Sequence, residues 1–416
     1  MHRLIFMAGL LLAAHGAIAA GPAVDPEQRL RDLDQRVKEL EAGRPADRQA
    51  ASNTFNPAIS LILDGKLSAF SKNPGTYALP GFALGEETGP GDEGLRLGES
   101  ELVMSASIDD KFYGQFTAAL TPENKTEIEE AYFETLALGN GFAVRGGRFL
   151  SSIGYLNPVH AHAWDFADQP LVYRAMLGNQ HKDDGAQLRW VAPTDVFLEI
   201  GAELFRGDNF PAGGAANSGK GTRTVFVHVG GDVGASHAWR AGLSRLDTDA
   251  KNRATGDETT PDLFTGSSTL SGVDFIWKWA PNGNPRNRHF KLQAEYFTRD
   301  EDGTFDPASS GSPFAYNGRQ KGWYTQAVYR FMPRWRAGLR HDRLKADAVG
   351  TTLAGTVLDR QGHDPKRTSV MADFSNSEFS RMRLQFNRDE SRANAKDNQW
   401  YLQYVMSLGA HGAHAF

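Results

Sequence analysis

The end of the chain alternates between apolar and more polar side chains with a period of two residues. In the segment NQWYLQYVMSLG, one parity carries Trp400, Leu402, Tyr404, Met406 and Leu408, and the other parity carries Tyr401, Gln403, Val405 and Ser407. A two-residue period indicates a β-strand with one apolar face and one more polar face. The chain is therefore predicted to finish with an amphipathic strand.

Fifteen further segments between Pro57 and this last strand have the character of strands. The sixteen predicted strands are 59–70, 95–108, 111–121, 126–138, 141–150, 183–192, 195–207, 221–231, 236–247, 268–280, 287–300, 319–331, 334–345, 366–375, 378–389 and 396–408. Most are close to the length of about 9–11 residues that a tilted membrane strand requires. The sequence therefore predicts a closed antiparallel β-barrel of about 16 strands, because an open sheet edge in lipid would leave backbone groups unpaired.

The connections between these strands alternate in length. Short turns such as 109–110, 139–140 and 193–194 separate long polar loops at 71–94, 151–182, 208–220, 248–267, 301–318 and 346–365. Outer-membrane barrels have short turns at the periplasmic end and long loops outside. An even strand number returns the C-terminus to the periplasm, and the terminal aromatic residue Phe416 agrees with such a barrel. The expected location is the outer membrane of a Gram-negative bacterium.

Charge decides which face of each strand meets lipid. In WRAGLRHDR, Trp335 and Leu339 share one parity, and Arg336 and Arg340 occupy the other. An arginine on the lipid side at the bilayer midplane costs about 2–4 kcal/mol, so the arginine parity should face the lumen. A soluble β-sandwich could also alternate, but it would not need inward arginines on several successive strands.

The inward charges predict an aqueous channel with opposed acidic and basic walls, which would select solutes by charge. The alternative is that these groups pair across the lumen and close it. The predicted pore-lining residues are Arg334, Arg336, Arg340, Arg381, Arg383, Glu130, Glu134, Glu199 and Glu203, and Glu101 is placed with the early acidic residues.

The longest connection, 151–182, contains too many apolar residues for a solvated loop, among them Phe166, Leu171, Val172 and Tyr173. It is predicted to fold back into the barrel as a constriction that includes Trp164, Asp165 and Asp168.

The same loop carries three histidines, His160, His162 and His181, close to several aspartates. Imidazole nitrogen together with carboxylate oxygen suits zinc, so these residues are a candidate metal site. The two rings of His-x-His lie on one side only if the segment is extended. The alternative is that the histidines form hydrogen bonds within a packed loop. His411 and His414 suggest a metal site with less support, and apart from zinc no cofactor is indicated.

The N-terminal part divides into two segments before the barrel domain, 57–416. Residues 1–19 have the polar start, short apolar core and Ala17-Ile18-Ala19 pattern of a signal peptide. Residues 20–56 contain a helical seam, with Leu30, Leu33, Val37 and Leu40 at 3-4-3 spacing, and then a linker. This short periplasmic coiled-coil helix would help to register an oligomer, for which a homotrimer is expected. The alternative is a frayed amphipathic tail.

The composition and the absence of catalytic motifs argue against several classes of function. The net charge of −5 argues against a nucleic-acid partner, and the absence of cysteine agrees with an exported protein without disulfides. The chain has no G-x-S-x-G, no H-E-x-x-H, no phosphate loop and no cysteine nucleophile, so no enzyme is predicted. The expected partners are outer-membrane lipid and small solutes or ions.

Several segments resemble proteobacterial outer-membrane proteins commonly named zinc-regulated TonB-dependent outer-membrane receptors. They are FNPAISLILDGKLSAF, GRFLSSIGYLNPVHAHAWDFADQPLVYRAMLGN, LRWVAPTDVFLEIGAELFRGDNFPAGGAAN, DFIWKWAPNGNPR and NQWYLQYVMSLGAHGAH. The region from Arg145 to Gly154 is similar to phosphate-selective porins, and this resemblance implies sixteen-stranded trimers with an inward-folded loop.

TonB-dependent receptors have an N-terminal plug domain far longer than residues 20–56, so the resemblance does not imply energy coupling through TonB. The favoured hypothesis is a porin-like channel for diffusion of small solutes. The second is a receptor that binds zinc or a zinc chelate at the long loop, and the third is a structural barrel with a closed lumen.

Overall fold

The computed structural model describes residues 57–85, 88–122, 125–213, 221–256 and 259–409. The predicted signal peptide 1–19, the helix and linker at 20–56, His411, His414 and Phe416 lie outside the described residues.

In the described residues, sixteen antiparallel strands form one closed sheet, as the sequence predicts. They are β1 (Ala58–Phe70), β2 in two pieces (Gly94–Leu97 and Ser100–Ser107), β3 (Phe112–Leu120), β4 (Thr126–Thr135), β5 (Phe142–Leu150), β6 (Lys182–Val191), β7 (Phe197–Phe205), β8 (Thr222–Val233), β9 (His237–Gly256), β10 (Pro261–Trp279), β11 (His289–Asp306), β12 (Phe314–Met332), β13 (Trp335–Ala346), β14 (Lys366–Ser377), β15 (Ser380–Glu390) and β16 (Asp397–Gly409). Both pieces of β2 pair with β1. The barrel closes where β16 pairs with β1, with Leu67 opposite Leu402.

The predicted division into a lipid face and an inner face is confirmed. On β16, Trp400 is 48% exposed and Gln403 only 2%. On β15, Leu384 is 49% exposed and its neighbour Arg383 only 1%. Because apolar side chains cover the outside and polar side chains are enclosed, the wall has the polarity that a barrel in lipid requires.

Four strands extend further than predicted. The segments 248–267 and 301–318 were predicted to be loops, and this prediction is wrong, because they are largely the ends of β9 to β12, which are 18–20 residues long. Polar residues dominate these extensions, which is why they resemble loops in the sequence. Beyond the bilayer a strand needs no apolar outer face, and here Phe264, Phe305 and Tyr316 form a small core with Leu353 and Leu358.

The long connection 151–181 folds into the barrel, and we call it the inner loop. It contains a 3-10 turn at Ala161–Ala163 and one α-helix, α1 (Leu171–Leu177), in which every residue is buried. The helix ends at Gly178, whose φ of 60° is the left-handed conformation that glycine adopts readily.

The helix α1 packs against the inner faces of β9 to β13. Its apolar residues join Leu246, Phe297, Tyr324 and Leu344 of the wall in one hydrophobic cluster. Residues of the loop 71–93, including Phe82, belong to the same cluster. A hydrophobic core therefore occupies part of the barrel interior. Among the described residues, no helix is long and apolar enough to cross a membrane.

Candidate functional site

A cavity of about 1170 Å³ lies inside the barrel beside the inner loop. Its lining includes Arg286, Arg334 and Glu378, which come from the short turns, so the cavity lies toward the short-turn end. Eight lining residues are basic, namely Arg240, Lys278, Arg286, Lys291, Arg330, Arg334, Arg336 and Arg381. Three are acidic, namely Glu101, Asp165 and Glu378.

The centre of the inner loop is attached to the wall through Asp168, and we call this group the Asp168 clamp. The carboxylate accepts hydrogen bonds from Arg340 of β13 at 2.6 Å and from Arg367 of β14 at 2.7 Å. Further donors are Arg174 at 3.1 Å, Gln385 at 2.7 Å and Asn387 at 3.0 Å. Burial alone would raise the pKa of Asp168, but the arginines hold it far below its usual value.

The preceding part of the loop is held by further basic residues. Asp165 accepts a hydrogen bond from Arg336 at 3.0 Å and forms an ion pair with Lys291. Burial would raise the pKa of Asp165, but these two cations keep it well below its usual value. Arg381 donates to the carbonyl oxygen of His162, and Arg383 donates to that of Trp164, each at 2.7 Å. Inward arginines therefore bind loop carbonyls as well as carboxylates.

The predicted pore-lining residues fall into two groups in the structure. Arg334, Arg336 and Arg381 line the cavity. Arg340 and Arg383 are buried against the inner loop.

The predicted acidic residues of the early strands each have a neighbouring partner. Glu134 pairs with Arg145 and Arg189, Glu199 with His228, and Glu203 binds Ser151, Ser152 and Gln187. Glu130 lies beside His160, where the inner loop begins.

The start of the inner loop meets a group of glutamates, which we call the His–Glu cluster. It consists of Glu99, Glu101, Glu129, Glu130, His160 and His162. A β-bulge between β3 and β4 places two consecutive residues, Glu129 and Glu130, on the inside of the barrel. Bulges commonly redirect a side chain in this way.

Each histidine of the cluster binds one glutamate closely. His160 Nε2 lies 2.9 Å from Glu130 Oε2, and His162 Nδ1 lies 2.8 Å from Glu101 Oε1. Glu99 lies beside Glu129, so one carboxyl of the cluster faces another. The cation nearest to Glu129 Oε1 is Lys182, at 3.8 Å.

Within the part of the chain that the structure describes, two buried carboxylate oxygens of the cluster, Glu101 Oε2 and Glu129 Oε2, have no hydrogen-bond partner. Each lies 3.3 Å from Nδ1 of His160. Burial alone would lower the pKa of His160, but the surrounding glutamates raise it well above its usual value. The carboxylates of the cluster therefore favour a positive charge at the position of His160 Nδ1.

The three histidines predicted as metal ligands do not come together. The rings of His160 and His162 stack with centroids 5.8 Å apart, although Ala161–Ala163 forms a 3-10 turn and not an extended segment. His181 lies in a different place, with Nδ1 3.0 Å from the Phe210 carbonyl oxygen and its ring against Phe205. Among the described residues, the side chains with ligand atoms close enough to share an ion are Glu101, Glu129 and His160.

The sequence analysis did not identify Glu129 as an inward residue. In a regular strand, consecutive side chains point to opposite faces, so only one of Glu129 and Glu130 was expected inside the barrel. The acidic run Glu127, Glu129 and Glu130 was the available signal, since the lipid side tolerates such residues poorly.

No family model matches the chain. Its fold is similar to solved outer-membrane proteins. With a loop-deletion mutant of OmpT from Vibrio cholerae the TM-score is 0.54 at 12% identity, over 85% of this chain and 99% of that one. With the anion-selective porin from Comamonas acidovorans it is 0.53 at 9% identity, with the same coverage. With the channel DcaP of Acinetobacter baumannii it is 0.51 at 12% identity, over 85% and 97%.

These identities are low, so the likeness shows the porin-like barrel fold, and it gives no support to the TonB-dependent-receptor name. A relative in sequence is an uncharacterized protein of Aquifex aeolicus (strain VF5), with 31% identity over 424 residues. The match covers 95% of this chain and 87% of that protein. With this identity along nearly its whole length, the chain belongs to the same protein family as the Aquifex aeolicus protein.

Proposed function

We propose that the protein is a channel in the outer membrane of a Gram-negative bacterium, through which small solutes or ions diffuse. The observation that carries this proposal is a closed sixteen-stranded barrel with an apolar exterior and a polar cavity of about 1170 Å³ inside. The short turns would face the periplasm and the long connections the exterior. The cavity would then be the periplasmic vestibule of the channel.

The charge of the vestibule favours anions. Its eight arginines and lysines outnumber its three carboxylates. A cavity lined by one sign of charge within low-dielectric walls raises the local concentration of counter-ions. The same fold carries an anion-selective porin in Comamonas acidovorans, although at 9% identity.

The proposal is tested with purified full-length protein in planar lipid bilayers. We expect discrete conductance steps and, in a salt gradient, a reversal potential of the sign that anion preference gives. Protein whose barrel is folded, as judged by heat-modifiable electrophoretic mobility, but which gives no steps would overturn the proposal. That result would favour a structural barrel closed by the hydrophobic core around α1.

We also propose a homotrimer and export through a signal peptide at residues 1–19. A groove of about 820 Å³ on the outer wall, lined by residues such as Leu188, Ile200 and Val225, supports a contact between copies. A structurally similar OmpT of Vibrio cholerae was solved in a trimer form. Native mass spectrometry in detergent tests the trimer, and N-terminal sequencing of the exported protein tests cleavage after Ala19.

A further inference from the structure

We propose that the His–Glu cluster binds a divalent transition-metal ion, with Glu101, Glu129 and His160 as ligands. The ion would connect the start of the inner loop to strands β2 and β4. The proposal concerns binding alone and does not depend on whether the barrel conducts.

The ligand atoms have the spacing of a metal site. One atom from each of Glu101, Glu129 and His160 lies within 4.8 Å of the other two. His160 Nδ1 is 3.3 Å from the nearest oxygen of each glutamate. In a tetrahedral zinc site with metal–ligand distances of about 2.0–2.1 Å, neighbouring ligand atoms are about 3.3 Å apart.

Two buried carboxylate oxygens face the position proposed for the ion. Glu101 is fully buried and Glu129 is 4% exposed. Among the described residues, Oε2 of each accepts no hydrogen bond, and its cationic neighbour is His160 Nδ1 at 3.3 Å. Leaving a buried charged acceptor unsatisfied is unfavourable, and a bound cation removes that cost. In the Asp168 clamp, by contrast, donors surround both carboxylate oxygens.

The residues around the ligands are arranged as in metal sites. His160 presents Nδ1 to Oε2 of both glutamates, at 3.3 Å, and its Nε2 lies 2.9 Å from Glu130. Glu130 in turn accepts a hydrogen bond from Gln115 at 2.8 Å. A carboxylate on the far nitrogen fixes the orientation of a ligating histidine and increases its basicity. The contact between His162 and Glu101 Oε1 orients the second ligand in the same way.

The donor set decides which ion fits. One imidazole nitrogen and two carboxylate oxygens suit zinc and similar ions, whereas calcium and magnesium prefer sites made of oxygen alone. Glu101 and His160 both line the cavity, so an ion could enter from it, and a water molecule could complete the coordination. Sites with three protein ligands commonly keep such an open position.

The test uses full-length protein purified without a histidine tag, stripped with a chelator and titrated with zinc chloride by calorimetry. The background carries His411→Ala and His414→Ala, which removes the two histidines near the C-terminus. We expect one zinc ion per chain, and at least 100-fold weaker binding in Glu129→Gln and in His160→Gln. Cobalt(II) in the same protein should give the visible absorption bands of a tetrahedral site.

The matched control is His228→Gln, because His228 is another buried histidine bound to a glutamate, with Nδ1 2.9 Å from Glu199. This variant should bind zinc as the background does. No binding, equal binding in Glu129→Gln, or equal loss in His228→Gln would each overturn the proposal. If His160→Gln does not fold, the zinc affinity of Glu129→Gln alone tests the proposal, because glutamine has nearly the same shape as the glutamate that it replaces in β4. Conductance is measured on the same preparations. Loss of zinc binding with normal conductance steps contradicts only the metal site, and absence of steps with normal zinc binding contradicts only the channel.

Discussion

The inner loop is attached to the barrel at two places that differ in charge balance. At the Asp168 clamp, one carboxylate receives hydrogen bonds from five side chains, three of them arginines. At the His–Glu cluster, four carboxylates meet two histidines and a more distant lysine. Both groups are largely buried. Both oxygens of the Asp168 carboxylate accept hydrogen bonds. Among the described residues, Oε2 of Glu101 and Oε2 of Glu129 accept none.

The difference matters because burying a charge without a partner of opposite sign costs free energy, and a buried charge with such partners costs much less. The clamp should hold the loop under all ordinary conditions. The cluster should hold it firmly only when a cation is present. The two attachments therefore predict mutational effects of opposite sign.

The largest effect is expected for Asp168→Asn. The change keeps the shape of the side chain but leaves Arg340, Arg367 and Arg174 without their shared anion. Breaking a buried ion pair on one side costs about 3–5 kcal/mol. We expect a lower thermal transition, faster proteolysis within the inner loop and noisier single-channel currents.

The control for this prediction is Asp359→Asn, which removes an aspartate that accepts hydrogen bonds from the backbone of Gly355 and Gln361 on an exposed loop. A transition temperature for Asp168→Asn equal to that of the control would show that the clamp does not hold the loop.

A smaller effect of the opposite sign is expected for Glu99→Gln in chelator-treated protein. The change replaces a carboxyl that is buried against Glu129, where a second negative charge is unfavourable, with a neutral side chain, so folding no longer has to bury an ionisable group there. We expect the free energy of unfolding to increase by roughly 1 kcal/mol, the scale of one pKa unit. Thermal unfolding followed by circular dichroism measures this, and a clear destabilisation would contradict the unfavourable burial of Glu99.

The next prediction concerns the basic side of the cavity. In Arg330→Gln, one positive charge of the vestibule is lost, so the preference for anions should decrease. The reversal potential in a tenfold salt gradient should move toward zero by a few millivolts while the conductance stays similar. Arg319→Gln is the control, because Arg319 pairs with Asp300 on the exposed surface. An equal shift in both variants would exclude a specific role for the cavity.

The smallest effect is expected from pH at the clamp. The pKa of Asp168 is lower in the folded protein than its usual value of about 3.9, so its pairing stabilises the fold above that value. This contribution is lost progressively as the pH falls below that usual value and through the lower, folded pKa. Between pH 7 and pH 5 the difference in transition temperature between wild type and Asp168→Asn should stay constant. A difference that shrinks by half over this range would contradict the low pKa.

Much of the fold could be predicted from the sequence. The sixteen strands, their parity and the inward arginines follow from the cost of placing charge in lipid, which acts on each strand separately. The same cost does not act outside the bilayer, so the extensions of β9 to β12 could not be distinguished from polar loops. The apolar residues Leu171 and Val172 correctly indicated that the inner loop folds into the barrel.

The site was predicted only in part. His160 and His162 were identifiable as possible ligands because they are close together in the sequence. Glu101 lies on β2 and Glu129 on β4, and they come close to His160 because the inner loop passes beside these strands. The bulge that turns Glu129 inward also breaks the alternation on which the prediction relied. His181 belongs to the same inner loop, but its ring lies elsewhere, with Nδ1 beside the Phe210 carbonyl oxygen.

The Asp168 clamp has a consequence for the order of assembly. Its wall partners lie on β13, β14 and β15, whereas Asp168 precedes them by about 170 to 220 residues along the chain. The inner loop therefore cannot reach its final anchors until the last strands have been added. Loop docking is then a late step of assembly, and we expect a defect in the clamp to reduce the yield of inserted protein.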